Sequence, residues 1–347
     1  MAQRVRIPHR GQSPSSARQL PILAALHARI PTLFFPIIHE KSAKVNPFLY
    51  FFIEYPAQWP QIPAEGNFLV KLMKKLSKKE DFYLPFVRFP CIMILICYKG
   101  ELGLGELIAF VSGKGGTGKT TVCAGVASAL ALGGKKVLCI DCDVGLRNLD
   151  IALAMSDSGA ISFLEALREE YGLKSAAQHP LYPSLYFLTA PVNCPSGWIP
   201  TRQVGMLLAL ARKEFDYVLL DAPAGIEAGF RMAARYSDRI LLVTGADPAS
   251  VRDATRAGQE LRKMGKNNVR LVVNRIDPRI LGDLDVTIDD IMDNVGLPLL
   301  GVVPEDSNVL FAAAYEEPLL EYTHKGAAAA CSRIAGRIKG KNIRISL

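Results

Sequence analysis

Val-Ser-Gly-Lys-Gly-Gly-Thr-Gly-Lys-Thr-Thr occupies residues 111–121, and this run decides the fold of the chain. Gly113, Gly118, Lys119 and Thr120 fill the pattern G-x-x-x-x-G-K-[ST] of a P-loop. Glycines at such positions let the backbone curl closely around a phosphate, so that successive N–H groups point at the anion. We therefore expect Lys119 to reach the β- and γ-phosphates of a nucleotide, and the Thr120 hydroxyl to ligate Mg²⁺.

The flanks of the run supply the context that a P-loop needs. Residues 107–111 are apolar and β-prone, and residues 121–132 carry Ala, Val and Leu at helical spacing. Together they predict a strand, a phosphate-binding loop and a helix whose N-terminus faces the anion. A glycine turn without a ligand is the weaker interpretation once both flanks match. The remaining residues expected around the phosphates are Gly115, Gly116, Thr117 and Thr121.

A second lysine, Lys114, directly follows the first glycine of the motif. The run Lys-Gly-Gly-Thr-Gly-Lys-Thr-Thr at 114–121 resembles the deviant Walker A ATPases of the MinD/ParA family. The resemblance implies that the protein binds ATP and Mg²⁺, forms an ATP-dependent homodimer and extends Lys114 to the phosphates bound by its partner. Such a lysine delivers positive charge in trans to a transferring phosphoryl group, as an arginine finger does. The alternative is a solvated loop lysine.

The strand predicted at 136–141 runs into a pair of aspartates, Asp141 and Asp143. Their surroundings, Asp-x-Asp-x-Gly-Leu-Arg-Asn-Leu-Asp over 141–150, are similar to the MinD group of the family rather than to ParA. The resemblance implies that Asp143 positions the attacking water and that Asp141 lies on the metal side. Both tasks suit carboxylates at a strand end beside a phosphate site. The alternative is that both aspartates cap the following turn.

A further apolar strand, predicted at 215–221, ends in Asp221, which is the Walker B pattern. We expect Asp221 to accept a hydrogen bond from a water on Mg²⁺ or from the Thr120 hydroxyl. The following residues, 222–227, resemble the MinD switch. There Gly225 allows a backbone N–H to approach the γ-phosphate.

Two later strands are predicted at 269–274 and 298–303, and polar residues follow each of them. The carboxyl ends of parallel strands are where open α/β sheets bind ligands. The resemblance implies that these two ends hold the adenine, through Asn274, Arg275, Pro304, Glu305 and Asp306.

Strands alternate with helices through the rest of the chain. Other strands are predicted at 185–189 and 239–244, and helices at 162–170, 201–213 and 327–339. This alternation predicts an α/β fold, a P-loop NTPase with a mostly parallel, doubly wound sheet and helices on both faces. The helix opened by Asp247 and Pro248 is similar to the family's partner-binding helix, so that MinC-like or MinE-like proteins are candidate partners.

Residues 1–106 lack the features of a folded domain. They contain 11 of the 22 prolines but only 5 of the 28 glycines, and only residues 68–79 keep a helical period. Three interpretations compete: a membrane tether, a partner-binding arm, or sequence that is not translated. We favour the third, with Leu104 or Leu107 as the initiator, because the family resemblance begins at about Leu107. The predicted ATPase domain is then 107–347.

Charge argues against nucleic-acid binding by the ATPase domain. Of the net charge of +8, residues 1–106 contribute +7, which leaves +1 for residues 107–347. Residues 325–347 carry six Lys/Arg and no acidic residue, but few bulky apolar ones, and the last residues alternate like a strand. We therefore expect membrane association to be weak or indirect, in a cytoplasmic protein that is peripheral at the inner face of the plasma membrane.

Cysteine usage fits reduced thiols. The seven cysteines show no disulfide spacing, and Cys139-x-x-Cys142 overlaps the end of an apolar strand, so we interpret it as a buried, inert pair. A metal-carrier or iron–sulfur function would need a cysteine pair in the C-terminal third, which contains only Cys331.

The function that the sequence favours is an ATP-dependent dimerising switch of the MinD type, acting in division-site placement or another positioning task. One alternative is a ParA-type segregation ATPase that binds nonspecific DNA. Another is an adaptor that holds ATP with negligible hydrolysis.

Overall fold

The computed structural model describes residues 104–144, 146–167, 172–191, 201–283 and 286–346, and within them the chain forms an eight-stranded sheet. The strands are β1 (Glu106–Val111), β2 (Val137–Asp141), β3 (Ala177–Gln178), β4 (Leu185–Leu188), β5 (Tyr217–Asp221), β6 (Arg239–Thr244), β7 (Val269–Ile276) and β8 (Leu299–Pro304). Their order is β3-β4-β2-β5-β1-β6-β7-β8, parallel throughout except for β3 against β4. The predicted α/β class is confirmed.

The helices cover both faces of the sheet. They are α1 (Lys119–Leu132), α2 (Leu149–Ala152), α3 (Thr201–Glu214), α4 (Ala228–Tyr236), α5 (Pro248–Lys263), α6 (Pro278–Asp283), α7 (Ile288–Val295), α8 (Asn308–Ala314), α9 (Leu319–Tyr322) and α10 (Gly326–Ile338). Helices α3, α4, α5 and α7 pack on one face, and α1, α2, α8, α9 and α10 on the other. Side chains of β1 alternate between the two cores, with Ala109 in the first and Phe110 in the second, as expected of a strand buried on both sides.

The register brings the predicted functional strand ends together. Strand β1 lies between β5 and β6, and Phe110 is opposite Asp221. Strand β2 pairs with the other side of β5, which sets Asp141 opposite Asp221. Because these strands are parallel, both aspartates and the loop after β1 lie at one edge of the sheet.

One helix prediction, at 162–170, is wrong for the residues that the structure describes. Only a 3₁₀ turn forms there, Glu165–Leu167, and residues 168–171 lie outside the described part. Ser162 is drawn into an isolated parallel bridge with Thr189, and Glu165 folds back to accept from the Ser162 N–H (2.8 Å) and hydroxyl (2.7 Å). The bridge holds Ser162 itself in an extended conformation, and the pairing with Glu165, whose N–H donates to the Ser162 hydroxyl (3.3 Å), starts the short turn that follows.

The last residues alternate like a strand in sequence, but the described residues 341–346 are irregular. Arg337 of α10 donates to the carbonyls of Leu300 (2.8 Å), Ile343 (3.0 Å) and Arg344 (2.8 Å), which holds the described residues 341–346 irregularly along the helix. Among the helices that the structure describes, none combines the length and apolar character needed to cross a bilayer. The interpretations of residues 1–103 lie outside the described residues, and the domain boundary at 106 stays a prediction.

Candidate nucleotide site

The P-loop has the backbone shape that its glycines predict. Gly118 precedes α1 with a φ of 79°, and a Cβ there would collide with the amide of Asn274. That amide donates to the Thr117 carbonyl (2.8 Å) from the end of β7, so Asn274 braces the loop that wraps the phosphate. A non-glycine residue at Gly118 would therefore meet both a strained φ and a clash.

Lys119, Thr120 and Asp221 form one polar cluster at the start of α1. Lys119 Nζ lies 2.5 Å from Asp221 Oδ1, and Thr120 Oγ1 donates to Asp221 Oδ2 at 2.7 Å. The side chains of Lys119 and Asp221 are only 7% and 2% exposed. The lysine that we expect to bind phosphate thus contacts the Walker B carboxylate, and Asp221 accepts from the Thr120 hydroxyl as predicted.

Two buried carboxylates lie side by side at this edge. Burial raises the pKa of Asp221, while Lys119 and Thr120 act in the opposite direction. Burial, together with the negative charge of Asp221, raises the pKa of Asp141 to about 7, although N–H groups of Asp143 and Leu149 favour its charged form. Burial and their mutual repulsion thus disfavour ionisation of both carboxyls at once, a cost that a divalent cation bound beside them would relieve.

The residues present fit Mg²⁺. Thr120 and Asp221 offer a hydroxyl and a carboxylate oxygen within hydrogen-bond distance of each other, which are the hard ligands that Mg²⁺ prefers. Among the described residues no cluster of three or more His, Cys, Asp or Glu could enclose a metal.

The loop that carries Asp143 begins at Asp141. Asp141 Oδ1 accepts from the Asp143 N–H (2.8 Å) and Oδ2 from the Leu149 N–H (3.2 Å). Asp143 Oδ1 in turn accepts from the Leu146 N–H at 3.2 Å. Asp143 lines the wall of the site. Asp141 binds two backbone N–H groups of the loop that carries Asp143, a contact that the spacing of the two aspartates in the sequence does not reveal.

Lys114 lies at the outer rim of the P-loop. Its Nζ is 3.1 Å from Asp247 Oδ1, and the two side chains are 35% and 54% exposed. Asp247 is also the N-cap of α5, where it accepts from the Ser250 N–H (3.0 Å) and hydroxyl. Burial alone would raise the pKa of Asp247, but the hydrogen bonds from Ser250 and Lys114 lower it to about 2.

The start of the P-loop contacts two other segments, the predicted partner-binding helix α5 and the predicted switch at 222–227. A Cβ at Gly113 would run into the backbone of Asp253 in α5, so the loop and this helix approach too closely for any side chain. On the other side, the Gly225 N–H donates to the Ser112 carbonyl (3.1 Å), which joins the predicted switch to the P-loop. The Gly225 N–H is thus engaged by the P-loop backbone, and its predicted approach to the γ-phosphate stays a prediction.

The residues predicted to hold adenine are not all brought together. Arg275 binds Glu305 (2.7 Å) and donates to the Gly116 carbonyl (3.4 Å), so these two lie beside the P-loop. Asp306 instead caps α10 by accepting from the Ala327 N–H (2.9 Å), and Pro304 ends β8. The adenine role of this set, Asn274 included, stays a prediction.

A cleft of about 440 Å³ extends from the P-loop along α1. Its walls include residues of α8, α9 and the segment between them that sequence reasoning missed, namely Val309, Ala312, Ala313, Glu317 and Leu319. In the sequence, the signal for this wall is the apolar run of α8, which follows closely after the end of β8. The predicted residues 115–121 and Asp143 line the same cleft.

The Cys139–Cys142 pair is buried and free, as its interpretation required. Burial raises the pKa of the Cys142 thiol well above its ordinary value, which disfavours the reactive thiolate.

Comparison with known proteins agrees with this geometry. Residues 108–319 match the family model described as "CobQ/CobB/MinD/ParA nucleotide binding domain". The septum site-determining protein MinD of Synechocystis sp. is 35% identical over 243 residues, which cover 69% of this chain and 91% of that protein.

Two solved structures extend the likeness to the fold. The MinC:MinD cell division protein complex of Aquifex aeolicus matches at a TM-score of 0.65 and 32% identity, over 70% of this chain and 99% of that one. The septum site-determining protein MinD of Pyrococcus horikoshii OT3, complexed with Mg-ADP, matches at 0.58 and 26% identity, over 68% and 96%.

Proposed function

Because the chain belongs to the CobQ/CobB/MinD/ParA family of nucleotide-binding domains, we propose that it is a MinD-type ATPase, a switch that dimerises with ATP and takes part in placing the division septum. ATP and Mg²⁺ are its ligands, as in the ATPases of this family. The observation that carries the proposal is the pair of lysines in one P-loop: Lys119 buried on Asp221, and Lys114 at the exposed rim.

In this proposal the two buried residues exchange partners when nucleotide binds. Lys119 would turn from Asp221 to the β- and γ-phosphates, and Asp221 and Thr120 would hold Mg²⁺. The ion would neutralise charge on the phosphate oxygens when bound. Asp143, on the wall of the cleft, orients the attacking water and accepts a hydrogen bond from it.

Lys114 acts in trans. To reach a phosphate bound by the partner subunit, Lys114 must break its ion pair with Asp247. Both side chains of this pair are partly exposed to solvent. Such a pair costs little to break, on the order of 1 kcal/mol or less. Lys114 is therefore held loosely enough to move when a second nucleotide-loaded subunit arrives.

A MinC-like protein is the partner that the comparisons favour, because a MinD of similar fold is known in a MinC:MinD complex. A MinE-like protein is a second candidate, and the exposed side of α5 next to Asp247 is a candidate surface for either. ParA-type DNA binding has no comparable support, since residues 107–347 carry a net charge of only +1.

We also propose that the protein is cytoplasmic and peripheral at the inner face of the plasma membrane. The support is the basic C-terminal segment, residues 325–347, with six Lys/Arg and no acidic residue. Co-sedimentation with anionic vesicles should be weak and lost at physiological salt. Tight, salt-resistant, ATP-dependent binding would instead indicate an inserted anchor.

Light scattering with an ATPase assay tests the central proposal. The wild type should pass from monomer to dimer with ATP but not with ADP. Lys114→Ala should stay monomeric, and Asp143→Ala should dimerise without hydrolysis. Lys135→Ala is the matched control, because Lys135 pairs with Asp216 on the surface, away from the P-loop. A full dimer without nucleotide, or wild-type hydrolysis by Asp143→Ala, would contradict the proposal. Dimerisation without any hydrolysis would favour the ATP-holding adaptor.

A further inference from the structure

The loop that carries Asp143 is fastened from the inside by Asp141. Both carboxylate oxygens of Asp141 are engaged, one by the N–H of Asp143 (2.8 Å) and one by the N–H of Leu149 (3.2 Å). The side chain spans the loop from its first residues to the start of α2. Asp141 is 1% exposed and, among the described residues, forms no ion pair with a lysine or arginine. Such burial is costly unless the carboxylate oxygens are hydrogen-bonded, and the N–H groups of Asp143 and Leu149 supply those bonds.

The same loop is fastened from the outside by Thr189. Arg147 Nε donates to Thr189 Oγ1 at 3.0 Å, and Arg147 has a φ of 39°, an unusual conformation that the contact helps to hold. Thr189 follows β4 and is 4% exposed. Its own N–H donates to the Ile161 carbonyl (3.0 Å), so the acceptor is itself fixed in place.

We propose that Asp141 and Thr189 are positioning residues that hold the Asp143 loop in its working geometry, and that Asp141 acts on this loop rather than on the metal side of the site. The inference rests on the proposed role of Asp143 in orienting the attacking water. Asp143 moves with the loop, because its carboxylate accepts from the Leu146 N–H within it.

The size of the effect follows from the precision that such orientation needs. A displacement of about 1 Å in a positioned group can cost about 100-fold in rate. Asn in place of Asp141 offers one carbonyl oxygen and turns an NH₂ group towards the second backbone N–H, so one end of the loop is released. Val in place of Thr189 keeps the shape of the side chain but removes the acceptor for Arg147.

The test compares Asp141→Asn and Thr189→Val with the wild type and with Thr189→Ser, which keeps the hydroxyl and should behave as wild type. Hydrogen exchange of the backbone amides of Asp143 and Leu149 should accelerate in the first two variants. Their kcat should fall about 10- to 100-fold. KM for ATP and the Mg²⁺ concentration that half-saturates binding of a fluorescent ATP analogue should stay within about 2-fold of wild type, because Lys119, Thr120 and Asp221 are untouched.

Two results would overturn the inference. One is a large rise in the half-saturating Mg²⁺ concentration in Asp141→Asn, similar to that in Asp221→Asn, since this would place Asp141 on the metal side. The other is unchanged amide exchange in both tether variants. If Asp141→Asn fails to fold, Thr189→Val decides alone, because it leaves the buried carboxylates intact. If Asp143→Ala hydrolyses ATP normally while the exchange effect persists, the proposed role of Asp143 fails and the tethers stand.

Discussion

The buried pair of Lys119 and Asp221 makes a quantitative prediction about the nucleotide-free protein. With side chains 7% and 2% exposed and a 2.5 Å contact, each charge depends on the other for compensation. Lys119→Met or Asp221→Asn alone strands one buried charge, which should cost about 3–5 kcal/mol. At about 2–4 °C per kcal/mol, the thermal midpoint should fall by about 6–20 °C. The double variant leaves no buried charge without a counter-ion, so it should recover most of the lost free energy of unfolding.

Urea unfolding of the wild type, the two single variants and the double variant, all without nucleotide, gives the coupling free energy between Lys119 and Asp221 directly. We expect a coupling of about 3 kcal/mol or more, against less than about 1 kcal/mol for the exposed pair Lys135–Asp216 treated in the same way. Burial raises the pKa of Asp221 and Lys119 opposes that rise, so removing Lys119 should raise this pKa further and make the charged form of the buried carboxyl more costly above the ordinary carboxyl range. The loss in Lys119→Met should therefore grow as pH rises. Additive losses in the double variant would refute the reasoning.

Two further predictions concern other titrating groups. Asp247→Asn keeps an N-cap on α5 but removes the counter-ion of Lys114. In low salt, ATP-dependent dimerisation of this variant should therefore occur at a lower protein concentration than in the wild type, as measured by light scattering. An unchanged concentration would argue against the idea that Asp247 restrains Lys114. His179 is buried and neutral, with a lowered pKa, and its Nδ1 accepts from the N–H groups of Leu181 (3.0 Å) and Tyr182 (3.2 Å). The unfolded ring takes up a proton as pH falls through its ordinary pKa of 6.5, whereas the folded ring resists protonation. The free energy of unfolding should therefore decline below that pH by about 1 kcal/mol per pH unit. The thermal midpoint of His179→Gln should depend less on pH than that of the wild type, and the same dependence in both proteins would contradict this.

The parts of the site that the sequence predicted are those fixed by strand ends. Lys119, Asp141 and Asp221 follow from local pattern alone, because parallel strands on either side of β5 must bring their carboxyl ends to one edge. Helix α1 and the strand before it follow from a single motif with the correct flanks. Local signals of this kind survive folding because each is consistent with the global arrangement.

Other parts of the site depend on tertiary contacts with no local signal. The cleft wall at Val309 and Glu317 requires α8 to turn back towards α1, which nothing in its short apolar run specifies. Asp306 resembles a ligand-binding residue in sequence but caps α10, because a helix N-terminus 21 residues later lies beside it. The helix predicted at 162–170 is wrong for the same reason, because Ser162 forms a β-bridge with Thr189, a residue distant in the sequence.

The contact between Lys119 and Asp221 has one more consequence, for the order in which ligands arrive. The Asp221 carboxylate binds the same ammonium group that we expect to bind phosphate, so it competes with the nucleotide for Lys119. Bound ATP would take Lys119 away from this carboxylate, which accepts from the Thr120 hydroxyl. A Mg²⁺ ion held by Thr120 and Asp221 would then supply the positive charge that the carboxylate had lost. Nucleotide and metal should therefore each tighten the binding of the other, through a swap of counter-ions that leaves no charge in the site uncompensated.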